Sequence, residues 1–115
     1  MKRPVINKIG TMECDMVETT PVVFRGVLYP FESVRSNFYE PSEMPKPHFH
    51  FLNKGGGGYT QEFAQGFQMG SAHVEGDRAY VYGVDACGAE AVHVFWSDDL
   101  KQWTSQVALE MPGWR

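Results

Sequence analysis

Two stretches of the sequence repeat one design 51 residues apart, and this repeat limits the folds open to the chain more than any other feature. Each stretch holds two runs of alternating apolar and polar residues, separated by Arg25-Gly26 in the first and by Gly76-Asp77 in the second. A period of two is typical of β-strands, and glycine suits a left-handed turn position because it has no Cβ. We therefore predict two β-hairpins, with Tyr29 of the first corresponding to Tyr80 of the second.

The spacing of the repeat indicates a particular architecture. Units of about 40–50 residues with about four strands each are typical of β-propeller blades. The 115 residues hold a little over two such units, whereas propellers close with about 4–8 blades. We predict an all-β fold of antiparallel strands forming about two blades of an incomplete propeller, blade one at about 11–62 and blade two at about 63–115.

The rest of the chain also favours strands over helices. Strand-like runs occupy residues 47–52, 91–96 and 104–109, and a Pro- and Gly-rich stretch covers 39–58. No window of ten or more residues keeps an apolar period of 3.6 with capping residues at its ends. In the turn 97–103, Asp98 and Asp99 are expected to accept backbone N–H bonds, and Trp103 is expected to pack between the blades with its indole N–H bonded to backbone.

Composition and charge exclude several classes of function. The chain has 10 Lys and Arg against 14 Asp and Glu, and no basic stripe that would neutralise phosphates, so nucleic acid is not an expected partner. No run approaches the roughly 20 apolar residues of a membrane span, and no signal peptide is visible, so we expect no membrane partner and take the cytoplasm as the default. Cys14 and Cys87 lack metal or redox spacing and are predicted to be free thiols. No cofactor is expected.

Two segments carry a resemblance to a known family. The run Glu18-Thr-Thr-Pro-Val-Val-Phe-Arg-Gly-Val-Leu-Tyr29 resembles the opening strand pair of five-bladed propeller glycoside hydrolases of families 43 and 62. Ser97-Asp-Asp-Leu-Lys-Gln-Trp103 is similar to a Ser-x-Asp-Leu-x-x-Trp turn found in these propellers and in families 32 and 130. The resemblance covers about residues 11–36 and 63–110 and implies that the chain is the N-terminal, two-blade part of a carbohydrate-processing propeller.

The resemblance implies roles for particular residues. Glu18 stands where the family has its general base, an Asp, and Ser71 stands where the second blade has another Asp. The family's proton donor comes from a later blade, so this chain alone is expected to be inactive, because glycoside hydrolysis needs two carboxyl groups. With Glu18 as the catalytic residue, the residues expected to contact sugar are Asp15, Glu32, Arg35, Ser71, His73 and Trp96.

Plainer interpretations of the same residues stay open. Glu18 also fits a solvated carboxylate at a strand start, and His73 a structural histidine. His48 and His50, two apart on one strand face that is expected to be exposed, match part of a zinc site, but no third ligand is evident and no metal is predicted. The alternative function is a noncatalytic module that binds carbohydrate or associates with copies of itself through open blade edges.

Overall fold

The computed structural model describes residues 2–9, 16–36, 46–86, 88 and 90–113. Within these ranges every regular element is a β-strand, which confirms the expected all-β fold. In the same ranges, no helix has the length and apolar character needed to cross a membrane. Residues 2–9 precede the first strand, lack regular structure and are exposed.

Eight strands form two separate antiparallel sheets. Sheet 1 consists of β1 (Met16–Phe24), β2 (Val27–Ser36), β3 (Lys46–Asn53) and β4 (Gly58–Tyr59). Sheet 2 consists of β5 (Phe67–Glu75), β6 (Arg78–Asp85), β7 (Ala91–Ser97) and β8 (Thr104–Glu110). In both sheets each strand pairs with the next one along the chain, so both are four-stranded meanders, and neither sheet closes on itself.

Two-residue turns join the first two strands of each sheet, as the repeat predicts. Arg25 and Gly26 both have positive φ, 49° and 78°, the signature of a type I′ turn. In the second hairpin Gly76 has a φ of 59° and Asp77 does not share the positive sign, which fits type II′. The prediction for Gly26 is therefore confirmed, and Arg25 adopts the left-handed region beside it.

The sheets pack face to face, with β5 lying against β1, β2 and β3. Because side chains alternate along a strand, the large apolar residues of sheet 1 lie on one face. This face packs against smaller residues of sheet 2. The buried residues of this core include Val22, Phe24, Phe31, Phe49, Phe51, Phe63, Ala79, Val81 and Phe95. The core is therefore built mainly from phenylalanines of sheet 1 packed on alanine, valine and glycine of sheet 2.

Two buried glycines of sheet 2 make room for one of these rings. A Cβ at Gly70 would lie 2.7 Å from the rings of Phe31 and Phe49, and a Cβ at Gly83 would lie 2.6 Å from the ring of Phe49. Neither glycine has a positive φ, so sterics rather than backbone conformation require glycine at these positions. Phe49 fixes how the two sheets are placed against each other.

The turn between β7 and β8 is held by its own side chains. Ser97 Oγ accepts hydrogen bonds from the amides of Asp99 and Leu100, and Asp99 Oδ1 accepts from Lys101 and Gln102. The prediction that Asp99 accepts hydrogen bonds from backbone N–H groups is therefore confirmed.

Asp98 in the same turn instead accepts two hydrogen bonds from the Arg78 guanidinium. Trp103 stacks on Phe63 at 3.9 Å, as expected of a packing residue. The expected bond of its indole N–H is wrong, because that nitrogen has no partner in the described part of the chain.

Candidate functional site

A cavity of about 290 Å³ opens where β1 and β5 begin, between the two sheets. It takes four polar or charged side chains and three apolar ones from β1, β2 and β5. The lining residues are Val17, Glu18, Ser33, Val34, Arg35, Gln68 and Met69. The cavity therefore unites Glu18 and Arg35, two of the residues that the sequence singles out.

Glu18 is the carboxylate of this cavity. It pairs with Ser33 across the β1–β2 ladder, directly after a bulge between Met16 and Glu18, and bulges re-aim the side chains beside them. Its Oε2 atom is buried and has no hydrogen-bond partner among the described residues. A buried carboxylate oxygen without a donor costs free energy, so Glu18 is a lining residue whose hydrogen-bonding capacity the described residues do not satisfy.

Three neighbours supply the complementary polar chemistry. Ser33 offers a hydroxyl, Arg35 a guanidinium and Gln68 an amide, so the lining holds both donors and acceptors. Gln68 pairs with Val84 just before a second bulge, between Gln68 and Ser71 of β5. The bulges of β1 and β5 thus lie side by side at the cavity.

Met69 lies within the β5 bulge and lines the cavity while 68% exposed, so it stands at the opening. Its φ is 55°, a left-handed conformation that costs a non-glycine residue about 1–3 kcal/mol. Met69 and Gln68 are not among the site residues predicted from the sequence. A signal for Met69 exists, because the 51-residue offset of the repeat carries Glu18 onto position 69.

Glu32 does not reach this cavity. It alternates with Phe31 and Ser33, so its side chain lies on the other face of sheet 1, where it is fully buried. There its Oε1 lies 2.7 Å from His50 Nε2. The ring of Tyr59 stacks on His50 at 4.3 Å.

His48 shares this face and is also buried, with its Nε2 3.4 Å from Glu62 Oε1. The sequence predicts an exposed strand face for both histidines, and this prediction is wrong, because both side chains are buried. Among the described residues, no group of three His, Cys, Asp or Glu side chains is arranged to hold a metal ion. Glu32, His48 and His50 form a buried polar cluster on this face of sheet 1.

Three further predicted residues lie together but elsewhere. Ser71, His73 and Trp96 share the face of sheet 2 that points away from sheet 1, because Ser71 and His73 alternate with Ala72 and Trp96 pairs with Tyr80 opposite His73. Ser71 and His73 are exposed, and Trp96 is half-buried. The structure does not bring them to Glu18. Asp15 lies outside the described residues.

A second cavity, of about 390 Å³, lies toward the opposite end of the sheets, and three of its polar side chains make hydrogen bonds within the fold. Thr60 Oγ1 accepts a hydrogen bond from the Phe51 amide, and Asn53 Oδ1 accepts one from the Gly55 amide. Asp99, which also lines it, holds the turn described above. The Glu18 cavity is therefore the stronger candidate site.

The Glu18 cavity has one carboxylate among its lining residues. Glycoside hydrolysis uses a pair of carboxyl groups about 5–9.5 Å apart, one to protonate the leaving oxygen and one to act as base or nucleophile. The described residues of the cavity therefore provide a hydrogen-bonding site rather than an acid–base pair.

Comparison with known proteins yields no relative, because no protein-family model, no curated protein and no solved structure matches this chain. Fold and site together define a two-sheet antiparallel β protein with a cavity of mixed polar and apolar lining at one end of the sheet interface.

Proposed function

We propose that this chain is a noncatalytic saccharide-binding part of an incomplete β-propeller of the glycoside hydrolase type, and that a sugar unit occupies the Glu18 cavity. The observation that carries the proposal is that Glu18 lines the cavity and that its Oε2 atom has no hydrogen-bond partner among the described residues. A sugar hydroxyl is a donor of the right kind for this oxygen, because a carboxylate only accepts hydrogen bonds.

The remaining lining supports a ligand that is polar at its edge and apolar on its face. Ser33, Arg35 and Gln68 supply groups for further hydroxyls, and Val17, Val34 and Met69 supply apolar contact. A sugar ring has both properties, with hydroxyls around the ring and C–H groups on its faces. A volume of about 290 Å³ is at the lower end of small-molecule sites, which suits a single sugar unit.

The architecture supports the propeller part of the proposal. Four-stranded antiparallel meanders are the building unit of propellers, and this chain has two that pack face to face. A closed ring needs further units, from additional sequence or from other copies of the chain. Hydrolysis would likewise need an acid that the described cavity does not contain, and we expect no release of chromophore from aryl glycosides.

The proposal is tested by measuring the binding of methyl pyranosides of common pentoses and hexoses to the full chain. Saturation-transfer NMR detects the binding, and titration calorimetry gives the affinity. Glu18→Gln keeps the size of the side chain but removes its charge, and charged hydrogen bonds contribute about 1.5–3 kcal/mol. We expect affinity to fall about tenfold or more in Glu18→Gln. Absence of binding by the correctly folded wild-type chain would overturn the proposal.

A matched control distinguishes the cavity from the outer face of sheet 2. Trp96→Ala removes the half-buried ring from the face that also holds Ser71 and His73. We expect this variant to bind sugar as the wild type does. Binding that survives Glu18→Gln and disappears in Trp96→Ala would move the site to that outer face.

A second candidate, self-association, is favoured by strand β8. All seven of its residues are exposed, and the strand is hydrogen-bonded only to β7 among the described strands. An open strand edge is a template for pairing with another chain. We propose that copies of the chain pair along β8.

A further inference from the structure

Met69 differs from the other non-glycine residues of positive φ in the described chain. Arg25 lies in the β1–β2 turn, Ala64 in the turn before β5, and Leu100 in the turn after β7. In a turn, a left-handed residue helps the chain to reverse. Met69 lies inside strand β5, where no reversal takes place.

The bulge of β5 has opposite effects on two successive residues. Gly70 is buried beneath the rings of Phe31 and Phe49, whereas Met69 is exposed at the mouth of the cavity. Glycine adopts a φ of 55° without steric cost, so the backbone alone gives no reason for a methionine here. Strained residues of this kind concentrate at ligand sites.

We infer that Met69 is a specificity-determining residue that selects ring-shaped sugars over acyclic polyols. Its unbranched thioether chain contacts the C–H face of a pyranose whose hydroxyl binds Glu18. Methionine suits this task because its side chain is flexible, polarizable and adaptable to irregular apolar surfaces. The inference rests on the proposed saccharide site and adds that this site recognises the C–H face of the sugar ring.

The inference is tested with Met69→Gly in the full chain, using a methyl pyranoside and glycerol as probes. Removing roughly 50 Å² of apolar contact weakens pyranoside binding about tenfold. The affinity for glycerol, which has no ring face, changes by less than about twofold. Because the strain is relieved, the melting temperature of Met69→Gly rises by about 2–4 °C.

Three further variants serve as controls. Arg25→Gly removes the same kind of strain away from the cavity, so it raises the melting temperature and leaves binding unchanged. Met69→Leu keeps an apolar chain of similar length and retains pyranoside affinity. Met69→Asn, which tolerates the left-handed region, replaces Met69→Gly if that variant does not fold, and it loses pyranoside affinity in the same way.

The outcomes separate the two proposals. Pyranoside binding that is lost in Glu18→Gln but unchanged in Met69→Gly overturns the role of Met69 and leaves the saccharide site intact. An equal loss of pyranoside and glycerol affinity in Met69→Gly also overturns ring selection. A folded wild-type chain that binds neither probe overturns the saccharide site together with the inference.

Discussion

Phe49 and the two glycines beneath it connect the sheets. The ring of Phe49 has no exposed surface and makes edge-to-face contacts with Phe31, Phe63 and Phe95, members of both sheets and of the linking segment. Interiors packed at crystal-like density leave no room for an added methyl group. The fit between Phe49 and the glycines is therefore sensitive to a single carbon atom.

We expect Gly70→Ala to lower the free energy of unfolding by about 1–3 kcal/mol, because the new Cβ would lie 2.7 Å from two rings. Urea denaturation measures this. Gly88→Ala is the matched control, since nothing lies within 4 Å of a Cβ at that exposed position.

The mechanism behind this loss has its own test. Phe49→Leu should cost less stability in the Gly70→Ala background than in the wild type, because the smaller side chain relieves the clash. Equal stability of Gly70→Ala and the wild type would contradict the proposed steric role of Gly70.

Residue by residue, the sequence predicts the chemistry of the site better than its geometry. Glu18 and Arg35 do meet in one cavity, because both lie on the same face of paired strands. Ser71 does not join them, because the β5–β6 pairing runs without interruption from the Gly76 turn to Ser71, and alternation places Ser71 on the face of sheet 2 that points away from sheet 1. The β5 bulge lies beside Gln68 and Met69 at the cavity, and the extra residue of a bulge is not visible in the alternating pattern of a sequence.

Among the elements, the turn 97–103 shows how side chains define a connection. Hydrogen bonds from the backbone amides of Gln102 and Lys101, and then from the Ser97 hydroxyl, hold the pKa of Asp99 below its usual value. A carboxylate whose pKa is lower in the folded state contributes stability above the unfolded-state pKa of about 4, and this contribution is lost as pH falls through the folded value.

We expect Asp99→Asn to show a smaller drop in melting temperature between about pH 5 and pH 2 than the wild type, because the variant has no carboxylate to protonate there. Thermal unfolding at a series of pH values measures the effect.

Asp98→Asn is the control for this prediction. The pKa of Asp98 is lowered mainly by its hydrogen bond to the exposed Arg78, and salt screens exposed ion pairs. In about 1 M NaCl the acid sensitivity should persist in Asp98→Asn and be reduced in Asp99→Asn. The same dependence of melting temperature on pH in Asp99→Asn and the wild type would show that the Asp99 charge does not stabilise the turn.

At the level of elements, the hairpins and the strand at 47–52 follow from the sequence, because alternation and turn glycines are local signals. The burial of His48 and His50 does not follow. Alternating histidines look like a solvated face until Glu32 is known to lie opposite His50 on the neighbouring strand.

At the scale of the whole molecule, β8 is the open flank of sheet 2. Val107 and Leu109 of this strand are exposed, 45% and 58% respectively. We expect the wild-type chain to self-associate with increasing concentration, and Val107→Lys to reduce this, because a charge on an edge strand opposes pairing. Size-exclusion chromatography with light scattering gives the mass directly.

Val5→Lys is the control for this experiment, since Val5 is exposed but lies outside any strand. A wild-type chain that stays monomeric across the concentration range would rule out association along β8. An equal reduction of self-association by the two lysine variants would indicate that the added charge acts through general solubility rather than by blocking strand pairing.

The pairing of each strand with its neighbour in sequence has a consequence for how the protein forms. Such contacts close short loops, and short loops cost little entropy and close fast. The strands of each sheet can therefore pair in register without contact with the strands of the other sheet. Sheet 1, complete by Tyr59, can assemble on the ribosome before β5 emerges, and its phenylalanine face is then exposed until Gly70 and Gly83 have been synthesised.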